Sequence, residues 1–182
     1  MAKGKNDCAV VLTFSPDIEN TLSRLCEEYL IYIDYKIVPH LTLIYPFTPV
    51  FSLYKVNEQL EKVAKQTKQF NITLNGINYF EDDSNVAYAA IENKRAVKKL
   101  HIDLISSLEG LIKEQYTDGK YNLDRFVPHV TIGNKIPDEI FLEIKKKLLK
   151  YRLHFEDNIT DFSLFAEIKG AWQRKRVFEL TG

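Results

Sequence analysis

One hexapeptide pattern occurs twice in this chain, and each copy holds a histidine with a threonine two residues later. Residues 38–43 read Val-Pro-His-Leu-Thr-Leu, the first motif, and residues 127–132 read Val-Pro-His-Val-Thr-Ile, the second motif. An unperturbed imidazole titrates near pH ~6.5, so small shifts leave one of two facing histidines neutral and the other charged. One can then take a proton while the other supplies one. We predict that His40 and His129 are the catalytic acid and base of one site.

The threonines extend this chemistry to phosphate esters. Each hydroxyl is a hydrogen-bond donor suited to a non-bridging oxygen of a phosphodiester, on which charge grows in the transition state. Thr42 and Thr131 are therefore predicted to bind the phosphate, and the chemistry needs no metal ion. Together the four side chains predict a site that cleaves or forms a phosphate ester.

The spacing of histidine and threonine predicts a strand for each motif. Side chains alternate between the two faces of a strand, so each histidine and its threonine project together while the flanking apolar residues project to the other face. A single His-x-Thr is typical of a solvated strand edge, and the repetition of all six positions is what favours a shared site. The alternative is a duplicated structural corner that has no activity.

The order of elements around the motifs is also repeated. Residues 8–80 predict strand, helix, motif strand, helix, strand, and residues 86–168 predict the same order. We therefore expect a single domain over residues 1–182, with two lobes formed by these repeats and a C-terminal strand near residues 177–180. The lobes are expected to be related by an approximate two-fold axis, with the two motif faces meeting across a cleft.

Other local patterns give further predictions. An apolar stripe predicts a long helix from about Arg95 to Tyr116, and a polar cluster at residues 82–85 predicts a turn that joins two strands in a hairpin. His101 lies beside the helical stripe and is predicted to be packed, whereas His154 is predicted to lie on a solvated strand face. The run Arg174-Lys175-Arg176 stays open, since a basic strand residue there could reach an anionic ligand.

Composition limits the class of partner and the cellular compartment. The 182 residues include 25 Lys plus Arg and 25 Asp plus Glu, so no global positive field favours long nucleic acid, and a small phosphorylated ligand or an RNA end fits better. Cys8 and Cys26 have no disulfide or metal-ligand spacing and are predicted to pack as small apolar groups. No stretch approaches the roughly 20 apolar residues of a membrane span. We expect a cytoplasmic monomer without membrane contact.

The two motifs also carry a family resemblance. Pro39-His40-Leu41-Thr42-Leu43 and Pro128-His129-Val130-Thr131-Ile132, with the repeated element order, resemble the HxT motifs of the 2H phosphoesterase superfamily, the 2′-5′ RNA ligase and cyclic phosphodiesterase group. The extended form over residues 40–47 looks most like the bacterial 2′-5′ RNA-ligase-like members. One departure is that Gly133 is followed by Asn134 and only then by Lys135, where many relatives place a basic residue sooner.

The resemblance implies an α+β fold in which two antiparallel sheets, flanked by helices, surround a central cleft in a bilobal pseudo-two-fold duplication. It implies hydrolysis of 2′,3′-cyclic phosphates or 2′-5′ linkages at nucleotide or RNA ends without metal or other cofactor, reversible as 2′-5′ ligation. The positions that carry over as catalytic are His40 and His129, and those that carry over as phosphate-binding are Thr42 and Thr131.

Two other functions stay open from the sequence. A non-catalytic module on the same fold would use the four polar groups only to bind a nucleotide or an RNA end. A metal-dependent hydrolase built on the two histidines is disfavoured, because threonine is a poor ligand and no carboxylate has a suggestive spacing. The assignment of base and acid between the two nearly identical copies also stays open, since a coupled pair titrates as a unit.

Overall fold

The structure is a computed structural model that describes residues 7–28, 37–81, 85–114 and 126–182. Within these ranges strands and helices alternate along most of the chain. In chain order they are β1 (Cys8–Leu12), α1 (Pro16–Glu27), β2 (Leu41–Pro49), α2 (Leu53–Gln66), β3 (Phe70–Phe80), β4 (Val86–Ile91), α3 (Arg95–Leu108), β5 (Ile112–Glu114), β6 (His129–Gly133), α4 (Asp138–Leu148), β7 (His154–Ile159), β8 (Asp161–Ile168) and β9 (Ala171–Glu179).

All of these strands belong to one antiparallel sheet in the order β7-β3-β4-β6-β2-β1-β8-β9, with β5 paired to the end of β2. The sheet has two four-stranded halves, which join where Leu41 of β2 pairs with Val130 of β6. The α+β prediction is confirmed. The two expected sheets are continuous with each other, because the two motif strands pair directly at this point.

The halves of the sheet differ from the halves of the sequence. The third strand of the first repeat, β3, pairs with β4 and β7, and the third strand of the second repeat, β8, pairs with β1 and β9. The half that contains β6 therefore takes β3 from the first repeat, and the half that contains β2 takes β8 and the short β5 from the second, which corrects the expectation that each lobe is formed by one repeat. The short connection from β3 to β4 explains the exchange, because consecutive strands so close in sequence pair as a hairpin.

The main hydrophobic core lies between the helices and one face of the sheet. It contains the apolar residues of both motifs, since Leu41, Leu43, Val130 and Ile132 are all buried. The side chains of Cys8 and Cys26 are also buried, as predicted. Burial raises the pKa of Cys8 to about 11, and nearby Asp7 adds to the rise.

A second, small cluster lies on the other face of the sheet. It consists of Ala9, Val11 and Phe165, with Ile37 and Trp172 packed against it. Along β1 the residues alternate between the two clusters, because Cys8, Val10 and Leu12 belong to the main core. We call this second group the site-face cluster.

The long helix is shorter than predicted. α3 ends at Leu108, where the chain turns through Gly110 with a φ of 71° and the Leu111 N–H donates to the Leu108 carbonyl. That positive φ suits glycine, and the apolar residues that follow enter β5 rather than another helical turn. Tyr116 and residues 82–84 of the predicted turn lie outside the described residues. No helix in the described ranges is both long and apolar enough to cross a membrane.

Candidate active site

The pairing of β2 with β6 brings the two motifs together. His40 immediately precedes Leu41, and His129 immediately precedes its partner Val130. Continuing the antiparallel register by one residue in each direction places His40 opposite Thr131 and Thr42 opposite His129. Residues that face each other in an antiparallel pair project to the same side of the sheet. All four polar side chains therefore project away from the main core.

The neighbouring strands support this arrangement. Thr131 pairs with Tyr88 of β4, and Thr42 pairs with Val11 of β1, which belongs to the site-face cluster. The four motif side chains, His40, Thr42, His129 and Thr131, are each half-buried. The structure thus brings together all four residues that the sequence singled out, on one partly enclosed face.

The two imidazole rings are oriented in the same way. His40 Nδ1 lies 2.8 Å from the Val38 carbonyl oxygen, and His129 Nδ1 lies 2.7 Å from the Val127 carbonyl oxygen. A ring that donates its Nδ1–H to a carbonyl keeps Nε2 unprotonated in its neutral form. In both copies Nε2 is therefore the nitrogen that can exchange a proton with a substrate.

This bond shows that the Val-Pro-His tripeptide orients the histidine ring, a role that the sequence analysis did not predict. The carbonyl that accepts the bond belongs to the valine two residues before each histidine, and the intervening residues Pro39 and Pro128 are buried. Proline restricts the backbone on both sides of its peptide bond, which fixes this short loop ahead of the strand. The repetition of Val-Pro at the same offset was the available signal.

Burial controls the protonation of both histidines. Desolvation lowers the pKa of His40 and of His129 below the usual 6.5, and the bond to the backbone carbonyl opposes that shift in each case. The nearby His129 lowers the pKa of His40 further. The free protein therefore favours neutral rings, and a bound anion would favour protonation of one of them.

Aromatic rings surround His129, and the surroundings of His40 are different. The ring centroids of Phe80 and Tyr88 lie 5.0 Å and 5.2 Å from that of His129, both in edge contacts, and these two rings stack on each other at 4.3 Å. On the other side of the site, the residue that pairs with Thr42 is Val11. The two motifs are nearly identical in sequence, yet their surroundings differ. Sequence reasoning missed both aromatic residues, although the alternation of Tyr88 in its strand was a usable signal.

The other histidines lie outside the site. His101 is buried in the main core region, where its Nδ1 lies 2.7 Å from the Leu43 carbonyl oxygen and its ring stacks on Phe126 at 3.8 Å. His154 is exposed at the start of β7. Both predictions for these residues are confirmed. Within residues 7–28, 37–81, 85–114 and 126–182, no three His, Cys, Asp or Glu side chains are grouped so that they could hold a metal ion.

The model of the 2′-5′ RNA ligase superfamily matches residues 14–170, a range that contains both motifs and the strands β2 to β8. The chain belongs to that superfamily. The resemblance to 2H phosphoesterases, which was based on the two motifs, is thereby confirmed.

Individual relatives agree with this assignment. A Geobacillus thermodenitrificans protein named "Putative phosphoesterase" is 30% identical over 148 residues, which cover 80% of each chain. The solved structure of TT0787 from Thermus thermophilus has a TM-score of 0.66 at 19% identity, covering 97% of this chain and 98% of that one. E. coli LigT, solved in complex with 3′-AMP, has a TM-score of 0.61 at 14% identity, covering 98% and 99%. At these identities the two solved structures show a shared fold.

Proposed function

We propose that this protein is a phosphoesterase that opens 2′,3′-cyclic phosphates, or cleaves 2′-5′ linkages, at nucleotide or RNA ends. One observation carries the proposal. The two histidines directly precede Leu41 and Val130, the pair that joins the halves of the sheet, and each ring bonds through Nδ1 to the carbonyl two residues before it. Membership of the 2′-5′ RNA ligase superfamily supports the class of reaction. The 3′-AMP complex of the fold neighbour LigT supports a nucleotide ligand.

The two histidines divide the proton transfers between them. For a 2′,3′-cyclic phosphate, Nε2 of one ring takes a proton from water as the water oxygen bonds to phosphorus. The bond from phosphorus to one ribose oxygen breaks, and Nε2 of the other ring gives its proton to that oxygen. The product is a phosphate monoester with a free hydroxyl on the neighbouring carbon. Proton exchange with solvent restores the starting state.

The threonines act on the phosphate itself. Thr42 and Thr131 each lie opposite the histidine of the other motif, so their hydroxyls flank the place where a shared phosphorus would sit. Donation to the non-bridging oxygens stabilises the charge that grows on them in the transition state. Removing one such donor typically costs about 10² to 10³ in rate.

The same groups can also form a 2′-5′ linkage. If the 5′-hydroxyl of a second RNA takes the place of water, one ring removes its proton and the other protonates the departing 3′-oxygen, which leaves a 2′-5′ linkage. The reverse of this ligation is cleavage of a 2′-5′ linkage: the 3′-hydroxyl attacks phosphorus, the 5′-oxygen departs with a proton, and a 2′,3′-cyclic phosphate is left, with the roles of the two nitrogens exchanged.

The test is a turnover assay with purified protein, 2′,3′-cyclic mononucleotides and 2′-5′ dinucleotides, carried out with and without a chelator. We expect cleavage of at least one of them that is unaffected by the chelator and lost in His40→Ala and His129→Ala. His154→Ala, which changes an exposed histidine outside the site, is the matched control and should keep full activity. Tight binding with no turnover of any substrate would instead support the non-catalytic binding module.

A further inference from the structure

We propose that the site continues across β1 and β8 to β9, where Trp172 and Arg174 bind the base and the phosphate of a second nucleotide. This inference rests on the proposed function and names its substrate class as an RNA end rather than a single nucleotide. Three features support it: the strand register, the charge on β9 and the distance from the reacting phosphate.

The register places both residues on the same face as the motif side chains. Arg174 pairs with Phe165, and Phe165 belongs to the site-face cluster together with Val11, the partner of Thr42. Trp172 lies two residues before Arg174 on β9 and packs against the same cluster. The cluster therefore forms a continuous apolar floor from Thr42 to β9.

Arg174 carries a positive charge that no carboxylate of the described residues neutralises in a salt bridge. Its side chain is exposed, with the guanidinium carbon 5.5 Å from the centroid of the Phe165 ring. The nearby Glu167 pairs with Trp172 across β8 and β9 and forms no salt bridge with Arg174. An exposed guanidinium held over an aromatic ring is a ready binding group for a phosphate.

Arg176 shows that the lack of a carboxylate partner is specific to one face of β9. It pairs with Leu164, whose side chain belongs to the main core, and its guanidinium lies 2.6 Å from the Glu61 carboxylate of α2. The opposite face of β9 thus neutralises its arginine within the fold. The two arginines of the basic run noted in the sequence therefore differ: Arg176 is paired with a carboxylate, and Arg174 faces the site.

The distance separates Arg174 from the reacting phosphate. Neighbouring strands lie about 4.8 Å apart, so Phe165 on β8 is roughly 10 Å from β2, and the guanidinium lies above Phe165. A phosphate held by Thr42 and Thr131 is out of its reach, so the anion that it binds must be a second phosphate. Trp172 is half-buried, which leaves part of its ring open to a base. Base stacking on an aromatic ring beside a basic group is the usual way to bind single-stranded RNA.

Substrate length gives the first test. We compare kcat/KM for an RNA oligonucleotide ending in a 2′,3′-cyclic phosphate with kcat/KM for the corresponding cyclic mononucleotide. The oligonucleotide should be preferred, and Arg174→Gln should lower that preference at least tenfold. Arg176→Gln is the matched control on the same strand and should leave the preference unchanged. Losing one phosphate contact should also reduce the slope of log affinity against log salt by about 0.7 in Arg174→Gln alone.

The chain contains a single tryptophan, so its fluorescence gives a second test that needs no turnover. A dinucleotide with a terminal 3′-phosphate should quench Trp172 emission on binding, and a 3′-mononucleotide should not. Absence of quenching at saturation, with an unchanged preference in Arg174→Gln, would overturn the inference while the proposed function stands. Failure of the proposed function would appear differently, as no cleavage of either substrate by the wild-type protein.

Discussion

Leu41 and Val130 are paired across β2 and β6 and are both fully buried, and this pair fixes the position of both motifs. A histidine immediately precedes each member of the pair, so this one strand pairing sets the positions of both histidines. Strand β2 pairs with β6 at its beginning and with β5 at its end. The site therefore lies where the two halves of the sheet meet. A two-fold duplication brings equivalent residues together at that junction.

The first prediction concerns pH. A reaction that needs one protonated and one neutral ring has a bell-shaped profile, whose maximum lies midway between the two macroscopic pKa values of the pair. Burial lowers the pKa of both His40 and His129 below 6.5. We expect kcat/KM for a 2′,3′-cyclic nucleotide to be greatest below about pH 6.5 and to fall on both sides. A maximum above about pH 7 would contradict the protonation states assigned to the free protein.

The second prediction concerns the threonine hydroxyls. Thr42→Val and Thr131→Val keep the shape of the side chain and remove the donor, so kcat should fall by about 10² to 10³ in each. Thr→Ser at the same positions keeps the hydroxyl and should recover most of the lost rate. Circular dichroism checks that each variant is folded. Equal activity of the valine and serine variants would show that the hydroxyls do not contact the phosphate.

The third prediction concerns the aromatic rings beside His129. Tyr88→Phe keeps the ring that contacts His129 and should have close to normal activity, whereas Tyr88→Ala removes the contact and should lower kcat. Because the ring positions His129 rather than touching the phosphate, Tyr88→Ala should also move the His129 pKa, which NMR titration of the imidazole measures. Phe80→Ala should likewise lower kcat and move the His129 pKa in the same direction as Tyr88→Ala. A lower kcat with an unchanged His129 pKa would contradict this positioning role.

The fourth prediction separates the packed histidine from the proposed catalytic pair. Burial, as the main cause, lowers the pKa of His101 below 6.5, so the folded protein binds fewer protons there than the unfolded chain. Its contribution to stability is thus fully present above about pH 6.5 and decreases as the pH falls below that value, by at most about 1.4 kcal/mol per pH unit.

His101→Leu removes that pH dependence and also leaves the Leu43 carbonyl without its partner, at a cost of about 1 to 3 kcal/mol. Urea unfolding at several pH values measures both effects. Turnover per folded molecule should stay at the wild-type level, since His101 lies in the core. A loss of turnover comparable to that in His40→Ala would place His101 in the mechanism and contradict its structural role.

The sequence was sufficient to predict the parts of the site that depend on local periodicity. Alternation along each motif predicted that Leu41 and Val130 would be buried and that each histidine would project to the same face as its threonine. The element order predicted the duplication. These features follow from the two-residue repeat of a strand and need no knowledge of which strands pair.

Long-range pairing was beyond the reach of the sequence. The hairpin of β3 and β4 was predicted from the turn signal at residues 82–85, but the pairing of β8 with β1 depends on a crossover that leaves no periodic signal. The aromatic contacts of His129 arise because β4 and β6 are neighbours. The separation of Arg174 from Arg176 depends on an irregularity in the register between β8 and β9, which places two nearby basic residues on opposite faces.

The measurement that tests the central claim most directly is a double-mutant comparison at the two histidines. Residues that act as one acid-base unit are strongly non-additive, because loss of either member removes the function of both. We predict that His40→Ala and His129→Ala each lower kcat for a 2′,3′-cyclic phosphate by about 10² to 10⁴, and that the double variant is only a few-fold worse than either single variant. Near-normal turnover in either single variant, or multiplication of the two losses in the double variant, would contradict joint action on one phosphate.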